Sequence, residues 1–133
     1  MKLLIVGSRS LDGQNDYEQI REFVEENLRN IDAIIHGGAN GIDLLGAAVA
    51  EEKNILTERF TPNWSRDGKK AGMIRNTEMV AACDFALVLW DGESRGTLDT
   101  IKKLYEKKTP TKLFIKKYEP VSLELALEMV SVK

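Results

Sequence analysis

The chain reads as an α/β protein: a single Rossmann-like, doubly wound domain whose mostly parallel sheet carries helices on both faces. Three observations predict this. Short apolar runs alternate strictly with stretches of helical periodicity. The runs LLIV at 3–6, AII at 33–35 and FALVLW at 85–90 are continuously apolar, as strands covered on both faces are. Glycine-bearing loops accompany them: GSR at 7–9, GGANG at 37–41, GKKAG at 68–72 and DGESRGT at 91–97. Right-handed crossovers then favour five strands in the order 3-2-1-4-5, with the topological switch between strands one and four.

Each element has its own signal. Lys2–Val6 is a short apolar run stopped by glycine, hence a buried strand. Tyr17, Ile20, Phe23, Val24, Leu28 and Ile31 recur at helical spacing and predict an amphipathic helix over Asp16–Asn30, capped by Asn15 or Asp16. Ala33–His36 is the second strand. Ile42–Lys53 is rich in alanine and leucine and reads as a well-buried helix. Ile55–Phe60 is the third strand, and Thr61–Lys70 a loop holding Pro62 and Trp64. Ala71–Ala82 is a helix with Met73, Ile74, Thr77, Val80 and Ala81 on one face. Phe85–Trp90 is the fourth strand. Thr97–Lys107 is a helix turning Leu98, Ile101, Leu104 and Tyr105 inward, and Lys112–Ile115 is the fifth strand. The last stretch, 119–133, is expected to form a short closing helix or a mobile tail.

Size and composition limit the function classes. With 133 residues, 43% apolar and 30% charged, the chain fits one soluble domain with a proper core. A net charge of −2 argues against nucleic acid or an anionic membrane as partner. The signs are unevenly spread. Acids crowd the first helix, and lysines crowd the C-terminal third, from Lys102 to Lys117. A single cysteine, Cys83, excludes an intrachain disulfide, and one histidine beside it makes no transition-metal cage. No apolar run reaches membrane-spanning length, and no cleavable leader precedes the first strand, so a cytoplasmic setting is expected.

Glycine after a buried strand and before a helix is a phosphate cradle, because helix N-terminal amides point at the anion and glycine lets it approach. Gly7, Ser8 and Arg9 fall at one side of the switch, where a hydroxyl and a guanidinium would meet phosphate or carboxylate. Gly37, Gly38 and Gly41 open the second helix. Asp43 in its first turn either complements the helix dipole or accepts from ribose hydroxyls. His36, just before them, fits a hydrogen-bonded structural role better than that of a base. Trp64 either stacks on a base or plugs its loop, and Lys69 and Lys70 add charge nearby. Arg75 and Asn76 lie close enough to the strand ends to reach inward. DGESRGT is the sharpest segment: Gly92 and Gly96 bracket Ser94 and Arg95, and Thr97 starts a helix. Capping explains Thr97, but it does not require two glycines and an arginine. Trp90, Asp91 and Glu93 border this loop.

Taken in order, these residues resemble the SLOG superfamily, which unites the DNA-processing protein DprA with the LOG nucleotide phosphoribohydrolases. The nearest pattern is that of its small YspA-like branch: GSR, hGGAxGxD, W, GxxAGxxRN and W(D)GxSxGT. Here these are Gly7–Arg9, His36–Asp43, Trp64, Gly68–Asn76 and Trp90–Thr97. The resemblance implies a Rossmann-like sheet, a nucleotide-derived ligand and a homo-oligomer, with no cofactor or metal required. The LOG pattern RKxxM…PGGxGTxxE is met by Arg75, Asn76 and Met79, with asparagine for lysine, and by Gly92, Gly96 and Thr97. Its glutamate falls on Thr100. Asp99 is adjacent but rotated by about 100°. If the chain were a hydrolase, Arg75 would be a catalytic candidate, with Asp43, Glu78, Asp91 or Glu93 as the substitute carboxylate. The expectation is therefore a nucleotide-binding module that senses or sequesters its ligand, using Gly7, Ser8, Arg9, Gly37, Gly38, Asp43, Trp64, Arg75, Asn76, Gly92, Ser94, Arg95, Gly96 and Thr97. The alternative is a LOG-like phosphoribohydrolase with a non-standard carboxylate. A DprA-like single-strand DNA binder is disfavoured by the slightly acidic balance and by the lack of a basic stripe with interleaved aromatics.

Overall fold

The computed structural model describes residues 1–115 and 119–131. Strands β1 (Lys2–Gly7), β2 (Ala33–His36), β3 (Leu56–Arg59), β4 (Phe85–Trp90), β5 (Thr111–Ile115) and β6 (Glu119–Val121) form one sheet in the order β3-β2-β1-β4-β5-β6. The first five run parallel, in the expected order, and β1 pairs with both β2 and β4, so the switch lies between β1 and β4.

The sheet has six strands rather than five. The additional strand falls where a closing helix or tail is expected. Its three residues, including Pro120, are too few to show a period, and β6 exists only as an antiparallel partner of β5. The closing helix itself follows as α6 (Leu123–Ser131). Of the C-terminal lysines, Lys116 and Lys117 lie outside the described residues, as do the last two positions of the tail.

Alternation along β1 divides the core. Leu4 and Val6 pack on one face with Met79, Val80, Ile101 and Leu104, which come from α4 (Ala71–Ala82) and α5 (Arg95–Lys107). Leu3 and Ile5 pack on the other with Ile20, Val24, Ile42 and Val49, from α1 (Gln14–Glu26) and α2 (Ile42–Glu52). Helices therefore cover both faces.

Several boundaries move for local reasons. Helix α1 starts two residues early, at a Gly13 cap, and Asp16 sits inside it and accepts from the Gly13 amide at 2.9 Å. It ends at Glu26, and Leu28–Asn30 is a separate 3-10 turn. The expected loop 61–70 contains a one-turn helix, α3 (Trp64–Asp67), because Asn63 Oδ1 caps the Arg66 amide at 3.0 Å. The inward face of α4 is Ala71, Asn76, Met79 and Val80, whereas Met73 and Thr77 are exposed. A buried Asn76 breaks the apolar pattern and shifts the apparent phase. Tyr105 stands in solvent rather than inward.

Candidate functional site

A cleft of about 450 Å³ opens at the carboxyl ends of the strands, on the switch. Three elements build it. The loop after β1 supplies Gly7, Arg9 and Ser10. The start of α5 and the loop before it supply Asp91, Ser94, Gly96, Thr97 and Thr100. Helix α4 supplies Arg75, Asn76 and Met79. Ala39 and Asp43, at the N-terminus of α2, complete the wall.

Close contacts demand glycine at two of these turns and favour it at a third. A Cβ on Gly7 would stand 2.2 Å from the Leu89 carbonyl oxygen and run into Ile42. Gly41 has φ of +83°, and a Cβ there would meet the Ser8–Arg9 backbone within 2.8 Å. A Cβ on Gly37 would lie 2.7 Å from Arg75 Nη1 and 3.0 Å from Asp43 Oδ2. Gly96 is different: a Cβ there would have no neighbour within 4 Å. Packing does not require this glycine, and the space it leaves belongs to the cleft.

Asp43 joins the loops. It is only 4% exposed, and its carboxylate accepts from the Gly37 amide at 2.7 Å and from the amides of Gly7 and Ala39. Burial pushes its pKa up to about 6, against those hydrogen bonds and nearby Arg75, which pull it down. Asp91 is held the other way. Burial raises it, but the Ser94 and Glu93 amides and the Ser10 and Ser8 hydroxyls prevail and keep it below the usual carboxylate range. Its Oδ1 accepts from both amides at 2.8 Å, and Ser10 Oγ donates to Oδ2 at 2.8 Å.

Arg75 is half-buried. Its Nη1 donates to the Gly37 carbonyl at 3.0 Å and its Nε to Asn76 Oδ1 at 3.0 Å. Among the described residues, no carboxylate lies within 4.0 Å of its guanidinium. Burial lowers its pKa from the usual arginine value, Asp43 opposes that, and neighbouring Arg9 adds to it. Asn76 is turned by Asp99, which accepts from its Nδ2 at 3.0 Å and pairs with Lys103 at 2.5 Å. Asp99 is thus engaged outside the cleft. Thr100 lines the cleft, and its hydroxyl donates to the Gly96 carbonyl at 3.3 Å.

Of the sequence-derived residues, Gly7, Arg9, Asp43, Arg75, Asn76, Asp91, Ser94, Gly96 and Thr97 meet in this cleft. Ser8 does not line it. Its fully buried hydroxyl accepts from the Asp91 amide at 2.9 Å and clamps β1 to the end of β4. Gly37 and Gly38 stand behind the wall and let Arg75 and Arg59 approach. Gly92 serves its turn, at φ +86°. Glu93 and Arg95 point to solvent, so neither contributes its charge to the cleft wall. Trp90 is core, 2% exposed, with its indole N–H on the Ser94 carbonyl at 3.1 Å. His36 is buried, and its Nδ1 accepts from the Gly38 amide at 3.1 Å. Burial, then Arg59, depress its pKa and keep it neutral. Trp64 lies outside the cleft, 59% exposed. Ser10, Ala39 and Met79 were not legible as site residues. Met79 alone carried a signal, three and four residues after Asn76 and Arg75 on one helix face.

Comparison with known proteins agrees with the fold. "Gene 61 protein" of Mycobacterium phage D29 is 35% identical over 83 residues, which cover 58% of this chain and 66% of that protein. The fold matches DNA processing protein A (DprA) of Streptococcus pneumoniae with a TM-score of 0.69 and 17% identity, over 98% of this chain and 56% of the other. It matches DprA of Helicobacter pylori with a TM-score of 0.72 and 16% identity, over 98% and 73%. The chain thus spans little more than half of the pneumococcal protein. The Helicobacter structure is described as revealing a single-stranded DNA binding mode. That finding overturns the exclusion of nucleic acid drawn from net charge. A whole-molecule charge of −2 does not report the field of one cleft. Among the described residues, no helix is long and apolar enough to cross a membrane. Residues 1–66 match the model of the YspA, cpYpsA-related SLOG family, the family that the motifs resemble.

Proposed function

We propose that the cleft binds the phosphate of a nucleotide, and that the protein holds this ligand without cleaving it. One observation carries the reading. Arg75 is a half-buried cation with no carboxylate in ion-pair range among the described residues, facing a cleft. A desolvated charge calls for a counter-charge. The start of α5 supports the same anion. The amides of Arg95 and Gly96 have no carbonyl one turn behind them, and the Gly96 backbone is open to close approach. Arg9 adds a second guanidinium at the rim. The volume lies within the roughly 300–1,000 Å³ of small-ligand sites.

Holding rather than cutting follows from Thr100. The position that the LOG pattern gives to glutamate carries a hydroxyl already bonded to Gly96. Calorimetry with dTMP and AMP, followed by mass spectrometry of the recovered ligand, tests this. Binding with intact nucleotide supports the reading, and free base in the recovered sample contradicts it.

A second reading has its own support. The likeness to a fold whose Helicobacter example binds single-stranded DNA favours a phosphate belonging to a strand rather than to a free nucleotide. Competition between dTMP and a short oligothymidylate for one site separates the two.

A further inference from the structure

We propose that the exposed surface from Trp64 to Met73 is a base-stacking platform for single-stranded DNA, continuous with the phosphate cleft at Arg75. The proposal rests on the cleft reading and extends it beyond one nucleotide.

Charge is the first observation. Between Arg59 and Arg75 the sequence places Arg59, Arg66, Lys69, Lys70 and Arg75 against one acid, Asp67. Asp67 is taken up by Arg66, which donates to its two oxygens at 2.9 and 2.8 Å. Lys69 and Lys70 are exposed and make no ion pair among the described residues. A chain of net charge −2 therefore carries a local positive stretch beside its cleft.

Exposed apolar surface is the second. Trp64 is 59% and Met73 54% exposed. Folding hides large aromatic side chains where it can, because burying one stabilises by about 1.5–3 kcal/mol. The Trp64 ring touches the protein at the start of α4, where its Cη2 is 3.8 Å from a Cβ position on Gly72. More than half of its surface faces water.

Placement is the third. Gly72 lies three residues before Arg75 and four before Asn76, so all three share one face of α4. Gly72, which the indole approaches, thus lies about 4.5 Å along the helix axis from Arg75, which lines the cleft. The indole is not part of the cleft wall. A nucleotide filling the cleft leaves Trp64 free, and a neighbouring base of the same strand is the group that reaches it. Stacking on an indole requires an unpaired base, which selects single strands over duplex.

The test uses the whole chain with fluorescein-labelled dT10 by anisotropy and dTMP by calorimetry. Trp64→Ala is expected to weaken dT10 roughly tenfold and Trp64→Phe to retain most of the affinity, with dTMP unchanged in both. A Lys69→Glu, Lys70→Glu double variant is expected to lower the salt slope for dT10 by about 1.4, or about 0.7 for each single-strand contact. Arg75→Ala is expected to weaken both ligands. If wild type binds dTMP but not dT10, or if Trp64→Ala leaves dT10 unchanged, the platform is overturned and the cleft reading stands. Failure of dTMP and dT10 alike overturns both. Tighter binding of rU10 or of duplex DNA overturns the assignment to single-stranded DNA.

Discussion

The guanidinium of Arg75 is hydrogen-bonded at 3.0 Å to the main-chain carbonyl of Gly37, a residue 38 positions earlier in the chain. This bond ties α4 to the turn after β2 and fixes the cation at the edge of the cleft. A Cβ on Gly37 would lie 2.7 Å from Arg75 Nη1 and push the guanidinium from this position. The arginine and the glycine of two separate motifs are thus one device.

Replacing Arg75 separates its two roles. Arg75→Ala removes a charged hydrogen-bond donor and is expected to weaken dTMP at least tenfold, since such bonds contribute about 1.5–3 kcal/mol. Arg75→Lys keeps the charge but loses the planar fork, and is expected to fall between the two. Thermal melts should show a loss of about 1–3 kcal/mol for Arg75→Ala, which gives up the bonds to the Gly37 carbonyl and to Asn76 Oδ1, and less for Arg75→Lys. Calorimetry that finds Arg75→Ala binding like wild type contradicts the role given to it.

Two glycines test whether packing or ligand space dictates their identity. Gly7→Ala drives a Cβ against the Leu89 carbonyl and is expected to cost about 1–3 kcal/mol of stability in urea unfolding. A Cβ on Gly96 meets no neighbour within 4 Å, so Gly96→Val should melt within a few degrees of wild type. Its side chain occupies the cleft, and nucleotide binding should be lost. A folded Gly96→Val variant with full affinity shows that the anion is not at the α5 N-terminus.

Asp43 gives the unliganded protein a pH dependence of definite sign. Its pKa rises from 3.8 when unfolded to about 6 when folded, so between these values the native state holds the extra proton. Its contribution is fully present below pH 3.8 and is lost as pH rises through 6. The difference is on the order of 3 kcal/mol. Asp43→Asn should flatten that part of the stability curve, measured by urea unfolding from pH 4 to pH 7. Sulfate, whose charge is fixed over this range, should bind more tightly below pH 6 in wild type and without that slope in the variant. An unchanged slope in Asp43→Asn contradicts the assignment.

Ser8 is expected to matter for stability and little for ligand. Ser8→Ala leaves the Asp91 amide without its acceptor at 2.9 Å, which costs about 1–3 kcal/mol. Affinity for dTMP should stay within severalfold of wild type in calorimetry. A large selective loss of affinity instead places its hydroxyl on the ligand.

The parallel core was legible because β1, β2 and β4 are buried on both faces and read as unbroken apolar runs. Strand β6 was not, since its three residues take their structure from β5 rather than from their own pattern. In the site, the glycines and Arg75 were visible from their spacing. What spacing could not give was direction. Ser8 and Arg9 are adjacent, yet one hydroxyl turns inward to clamp β4 and the neighbouring guanidinium reaches the rim. Arg95 sits between two cleft residues on α5, and helical rotation carries it to solvent. Nucleic acid is disfavoured by a sum over all charges and by the want of an obvious basic stripe with aromatics. The basic residues from Arg59 to Arg75, with Trp64 among them, are instead spread over a strand end, a 3-10 turn and two helices, and show no period.

The most direct measurement is a titration of the nitrogen-15-labelled protein with dTMP, followed through backbone amide resonances. Saturable shifts concentrated at Gly7–Ser10, Ala39–Asp43 and Ser94–Thr97, absent in Gly96→Val, are expected. No shifts at these amides, or shifts confined to another face of the sheet, contradict a phosphate cleft at the β1–β4 switch.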